Sequence, residues 1–227
     1  MVESKDQWTS SLLAMTRTPS RASTYLDDRL KFTNHLARQL MEGVGGCSRV
    51  VYGVWLDGHK KPIYIGQTAD AHRRLWDLPI GESHHLSNSF PPEIWRRVVV
   101  VQWGHLFREL GDGCVPIFAG LRDMGVAEET KQLKVIGLGL EHLLQSRDRP
   151  LMNRRTKRRD GTWGQVNWSR SASLGARAAP FLGPLFGKVD EVWKALVSAR
   201  PRRNGAARTM PGGLSVYPSM VRVRFSA

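Results

Sequence analysis

A mixed α/β (α+β) fold, with a small three-stranded antiparallel sheet flanked by helices, is predicted by three observations. Two apolar, β-branched runs, Arg49–Leu56 and Ile63–Ile65, are joined by a turn. A third run holds four consecutive valines within Arg97–Trp103. A long amphipathic stretch, Glu128–Arg147, follows. The chain has 227 residues, 41% hydrophobic and 24% charged, which is globular rather than disordered composition.

The elements follow in order. Met1–Ser23 is polar and rich in Ser and Thr. Leu26, Leu30, Leu36 and Leu40 recur at helical spacing, predicting a packing helix over Thr24–Glu42 that stops at the glycines from Gly43. Val50, Val51, Tyr52, Val54 and Trp55 predict the first strand. Asp57-Gly58 and Pro62 mark the turn into the second, which makes a hairpin. Ala69–Leu78 predicts a helix with Asp70 near its start, and Pro79–Pro92 a loop. Glycines and Pro116 break any long element between Gly104 and Gly125. Leu133, Ile136, Leu140, Leu143 and Leu144 form one stripe of the Glu128–Arg147 helix, which Pro150 ends. A shorter helix is expected over Lys188–Ser198, a flexible Gly/Pro/Arg arm over Arg200–Gly213, and a late strand or loose tail over Val221–Phe225.

The net charge is +14 and it is uneven. Residues 154–227 carry 15 Lys and Arg against three acids, whereas residues 1–153 carry 19 against 17. Such a basic segment favours a polyanion, with affinity that needs no sequence information and falls with salt. DNA is the expected partner. A membrane surface ranks last, because an Arg-rich arm lacks the apolar face that anchoring needs. Cys47 and Cys114 have no CxxC spacing, which speaks against a zinc site or a disulfide framework. No leader-like or spanning apolar run is present, so a soluble, cytoplasmic protein is expected.

The chemistry-bearing residues lie on the hairpin and the two helices. Tyr52 in Val51-Tyr52-Gly53 and Tyr64 in Ile63-Tyr64-Ile65-Gly66 stand 12 residues apart, on strands able to place both phenols on one face. Arg74 follows Gly66 by eight residues. Glu141 lies on the long helix, with Pro150 nine residues on and Asn153 three beyond that. Either tyrosine alone reads as a strand aromatic packing across a hairpin. Together, and in this order, the motifs resemble the GIY-YIG nuclease family over roughly residues 49–155. The resemblance maps the two family tyrosines to Tyr52 and Tyr64, the arginine to Arg74, and the glutamate with its Pro-x-x-Asn to Glu141 and Asn153. One position departs: where many members have a histidine four residues after the arginine, this chain has Leu78. Either His84 or His85 takes that role, or it is missing, as in the repair branch.

The resemblance implies a metal-dependent DNA endonuclease domain over residues 47–155, an N-terminal extension with one helix over 1–46, and a basic C-terminal extension over 156–227. The absence of a second recognisable domain resembles the family's type II restriction enzymes. Repair or homing nucleases are the alternative, and a non-catalytic nucleic-acid-binding protein is the alternative of another class. Phosphodiester hydrolysis needs an activated water, a cation on the non-bridging oxygens and a protonated leaving oxygen. Glu141 is the expected ligand of Mg²⁺ or Mn²⁺, and Arg74 the group that neutralises growing charge. Tyr52 is expected as the base, its ionisation helped by the metal and Arg74, with Tyr64 as a hydrogen-bond partner. Asn153 either joins the site or supports its loop. Lys60, Lys61, Arg73, Arg154, Arg155, Lys157, Arg158 and Arg159 are candidate nucleic-acid contacts, the last five followed by Trp163 and Trp168. A palindromic target would call for a homodimer or sequential nicking.

Overall fold

A computed structural model describes residues 19–44, 49–81, 85–157, 163–165, 173–200 and 208–217. In chain order these form α1 (Pro19–Glu42), β1 (Val50–Leu56), β2 (Tyr64–Thr68), α2 (Ala71–Ile80), α3 (His85–Ser89), β3 (Trp95–Val101), α4 (Trp103–Arg108), α5 (Val115–Asp123), α6 (Glu129–Asp148), β4 (Arg155–Lys157), β5 (Trp163–Gln165), α7 (Leu174–Ala178), α8 (Gly183–Ser198), β6 (Arg208–Met210) and β7 (Gly213–Val216).

β1 is apolar along its whole length because helices cover both faces of the sheet, and every one of its residues is buried. It pairs antiparallel with β2 on one side and β3 on the other. Val50, Tyr52, Val54 and Leu56 point to one layer, where they meet Phe32, Leu36 and Leu40 of α1 and Leu75 and Leu78 of α2. Val51 and Trp55 point to the other, against Ile136, Leu140 and Leu144 of α6 and Val189 and Trp193 of α8. The alternation of a strand thus divides one apolar run between two cores.

The mixed α/β sheet flanked by helices is as expected, but it has five strands in the order β2-β1-β3-β7-β6 rather than three. The additional pair comes from the end of the Arg200–Gly213 segment expected as a flexible arm and from the three residues that follow it. β7 lies antiparallel to β3, with Val98 opposite Val216 and Val101 opposite Gly213, and all four of its residues are buried. Leu214 and Val216 complete the α1/α2 core. Four residues are too few to show a period, and the flanking Gly, Pro and Arg belong to the turn and the short edge strand. The segment read as a C-terminal extension therefore supplies both a strand and the α8 helix to the main body.

Other differences are of extent. α2 continues to Ile80 through Pro79 before Gly81 ends it in a left-handed conformation. The 104–125 stretch, expected to hold no long element, folds into short helices that place Leu106, Phe107, Ile117 and Leu121 in the core. The Pro79–Pro92 loop contains α3. His84, Arg158, Arg159, Trp168 and Val221–Phe225 lie outside the described residues. Among the described residues, no helix is long and apolar enough to cross a membrane.

Candidate active site at the edge of the sheet

β2 is an edge strand, so one row of its backbone groups has no neighbouring strand to pair with. At Ile65 both are satisfied by side chains. Its N–H donates to Asn153 Oδ1 at 2.9 Å, and its carbonyl accepts from Gln145 Nε2 at 3.0 Å. Close by, Met152 N–H donates to the Ile63 carbonyl at 2.7 Å. The edge is held by α6 and the turn after it, and the candidate residues gather there.

Gly66 stands directly across from Tyr52 in the β1–β2 register. A Cβ there would lie 2.8 Å from Tyr52 Oη and 2.7 Å from Tyr64 Cε1, so only glycine leaves room for the two rings. The ring centroids are 6.0 Å apart, tilted by 32°. The shared face expected for the tyrosines is the face found. Tyr52 is fully buried, and its hydroxyl has no hydrogen-bond partner among the described residues. The Tyr64 hydroxyl is near enough to couple with its ionisation, without the geometry of a full hydrogen bond. Tyr64 is only partly buried.

Arg74 comes from the first turn of α2. Asp70 caps that helix, its side chain accepting from Arg73 N at 3.1 Å while its carbonyl accepts from Arg74 N at 3.1 Å. The cap sets which arginine turns inward. The Arg73 side chain is exposed and pairs with Asp70 at 3.8 Å, whereas Arg74 is half-buried and acts electrostatically on Tyr52, Tyr64 and Glu141.

Glu141 comes from α6, which approaches β2 at Gly137. A Cβ on Gly137 would fall 2.7 Å from Gln67 Oε1. One turn later, Glu141 Oε1 accepts from Gln145 Nε2 at 2.8 Å. The single amide of Gln145 thus spends one hydrogen on the carboxylate and the other on the Ile65 carbonyl. Burial pushes Glu141 up to about 7, although the Gln145 hydrogen bond and the Arg74 charge both pull it down. Arg74 and Glu141 act on each other through space, with no direct ion pair joining them among the described residues.

Burial also raises both phenols. Tyr52 lies well above its ordinary value, chiefly from desolvation, then from Tyr64; Arg74 opposes this and Glu141 adds to it. Tyr64 is raised by burial and by Glu141, with Arg74 and the Tyr52 hydroxyl opposing. The Tyr52 hydroxyl, expected as the base, is buried without a hydrogen-bond partner among the described residues, and Tyr64 is the phenol with an exposed portion.

The structure brings Tyr52, Tyr64, Arg74 and Glu141 together, with Asn153 one backbone group away. Asn153 has its oxygen engaged by Ile65, which makes it a support of the strand. Lys60 and Lys61 are exposed in the β1–β2 turn, and Lys60 lies beside Trp55, on the opposite face from the tyrosines. Arg154, Arg155 and Lys157 continue the backbone past Asn153 into β4. Gln145 was not anticipated from sequence; its signal is the i,i+4 spacing from Glu141 on a helix.

The donor set fits Mg²⁺. Such an ion takes one or two carboxylates and completes its octahedron with water and substrate phosphate oxygens. Glu141 is a desolvated carboxylate whose preference for a proton marks an anion short of compensating charge. Among the described residues, no group of three or more His, Cys, Asp or Glu could close around an ion, and Glu141 is the carboxylate that couples to Arg74 and the two phenols. Comparison with family models, with curated proteins and with solved structures finds no match to this chain.

Proposed function

We propose that the chain is a Mg²⁺-dependent DNA endonuclease of the GIY-YIG kind, acting at the β2 edge. The observation that carries this reading is convergence. Two phenols, a guanidinium and a desolvated carboxylate, drawn from a hairpin and two helices spread over some ninety residues of sequence, meet at one strand edge. A packing role explains Tyr52 alone. It does not explain a buried carboxylate held near neutrality beside an arginine to which it is not paired.

Glu141 would hold the ion, which when bound would supply a Lewis acid to the phosphate and make a coordinated water more acidic. Arg74 faces the same edge and neutralises charge that builds on the non-bridging oxygens. Tyr64 offers its hydroxyl to the attacking water or the phosphate. Tyr52 stands behind it as a neutral phenol, fixing the Tyr64 ring over Gly66. Gln145 and Asn153 hold Glu141 and the strand in place through Ile65. A site-specific, restriction-type enzyme is the finer reading, since the chain's additional elements fold onto the nuclease body. A palindromic target would then engage two copies of the chain.

The test is incubation of the full chain with supercoiled plasmid in Mg²⁺ and in EDTA. Discrete fragments in Mg²⁺ alone support the restriction-type reading, and nicking or smearing supports a less specific or structure-directed nuclease. An intact plasmid that is still retarded on a gel favours the non-catalytic binding protein.

A further inference from the structure

On the face of the sheet opposite the tyrosines, near the β1–β2 turn, a cavity of about 190 Å³ is lined by Trp55, His59, Lys60, Arg96, Arg97 and Val197. Four of the six lining residues are basic, and none is acidic. Lys60, Arg96 and Arg97 take part in no ion pair with a carboxylate among the described residues.

Arg97 is the least usual member. Its side chain is 8% exposed. The guanidinium donates to the carbonyls of Val197 and Ala199, the latter at 2.7 Å, and lies 4.8 Å over the Tyr217 ring. Tyr217 in turn donates to the Ala199 carbonyl at 2.8 Å. Arg97 Nε is buried and has no hydrogen-bond partner. The positive charge is therefore held rigidly at the C-terminal end of α8 by carbonyls and a π face, with no negative charge beside it. Burial lowers its pKa, Tyr217 opposes that, and the neighbouring Arg96 adds to it. The carbonyls at the helix end and the π face compensate this cation, whereas Lys60 and Arg96 beside it are exposed and have no carboxylate partner among the described residues.

We propose that this cavity binds a backbone phosphate of a nucleic acid, at a distance from the cleaved bond. Its small volume suits one tetrahedral group better than an acidic loop, and guanidinium and ammonium donors are the usual partners of phosphate oxygens. The sequence as a whole, at +14, is suited to a polyanion. Only the identity of the polyanion rests on the nuclease reading. Met152 N–H donates to the Ile63 carbonyl, which ties the chain entering β4 to the end of the same turn.

The experiment measures fluorescence anisotropy of a labelled DNA duplex with the full chain in EDTA, where no cutting occurs, over a range of salt. Lys60 and Arg96 are exposed, so the double variant Lys60→Ala/Arg96→Ala keeps the core. Arg122→Ala/Lys134→Ala removes two exposed charges elsewhere and serves as its control. Binding by the first variant should weaken about tenfold, and the slope of log K against log salt should fall by about 1. The control should stay within about twofold of the parent. Equal binding by the first variant and the parent overturns the proposal, as does an equal loss in the control. If inorganic phosphate raises the parent's melting temperature and not the variant's, while DNA binding is the same in both, the site takes free phosphate and the nucleic-acid assignment falls. An acidic protein that binds in place of DNA likewise overturns it. A chain that binds DNA through the cavity but never cuts sinks the nuclease reading and leaves the cavity standing. One that cuts while the variant binds DNA as the parent does has the reverse effect.

Discussion

At the scale of single residues, Glu141 carries the most testable chemistry. Its folded-state pKa of about 7 stands above the ordinary 4.5. Without metal the fold prefers the neutral acid. That contribution is fully present below pH 4.5 and is lost as pH rises through about 7. Glu141→Gln keeps an oxygen for Gln145 but has no charge to desolvate. It should melt like the parent in mild acid and be more stable at pH 8, by on the order of 2 kcal/mol. Mg²⁺ should raise the melting temperature of the parent at pH 8, less so at pH 6 where a proton competes, and not at all in the variant. Calorimetric scans with and without the ion check all three. The tyrosines separate by exposure. Tyr52→Phe removes a buried, unpartnered hydroxyl, so it should melt at or above the parent. Tyr64→Phe should cost about 100-fold in cleavage rate, and more than Tyr52→Phe does, because Tyr64 is the phenol open to substrate. Larger loss from Tyr52→Phe would restore the original order of roles.

At the scale of elements, the site depends on how an edge strand is pinned. Asn153→Ala leaves the Ile65 N–H without its acceptor and should cost about 1–2 kcal/mol by urea unfolding. Gly66→Ala forces a methyl against two rings and should cost about 2–3 kcal/mol, with cleavage lost alongside. The hairpin, the valine strand and the α6 helix were legible because each has a long apolar pattern and a clear terminator. Tyr52, Tyr64, Arg74 and Glu141 were legible as a group through the resemblance of their motifs to a nuclease family, and not from any one of them alone. Gln145 was not, since an amide on a helix face is ordinary until the neighbouring strand is known to have a free carbonyl. Tyr52's isolation was equally hidden. Strand alternation says which face a phenol takes, but only the three-dimensional packing of α1 and α2 says that water never reaches it. β7 escaped notice because a four-residue strand within a Gly/Pro-rich stretch has no period of its own.

At the scale of the whole molecule, the sheet is closed by residues far from its start. β7 buries Leu214, Val216 and Tyr217, and Tyr217 and Arg97 together fix the end of α8. A chain cut after Arg200 loses Leu214, Val216 and Tyr217. It should lose its cooperative melting transition, which circular dichroism checks; an unchanged transition would show that β7 and β6 are dispensable. The uneven charge, with its excess in residues 154–227, belongs to the same scale: under the proposed function it would draw a polyanion to a body whose residues 1–153 are nearly neutral. The measurement that bears most directly on the nuclease reading is supercoiled plasmid conversion in Mg²⁺ by the parent chain and by Glu141→Gln, run side by side at pH 8. Relaxed or linear DNA is expected from the parent, and intact plasmid from a variant that melts at a higher temperature. Equal conversion by both chains, or none by a folded, DNA-binding parent, would contradict the nuclease reading.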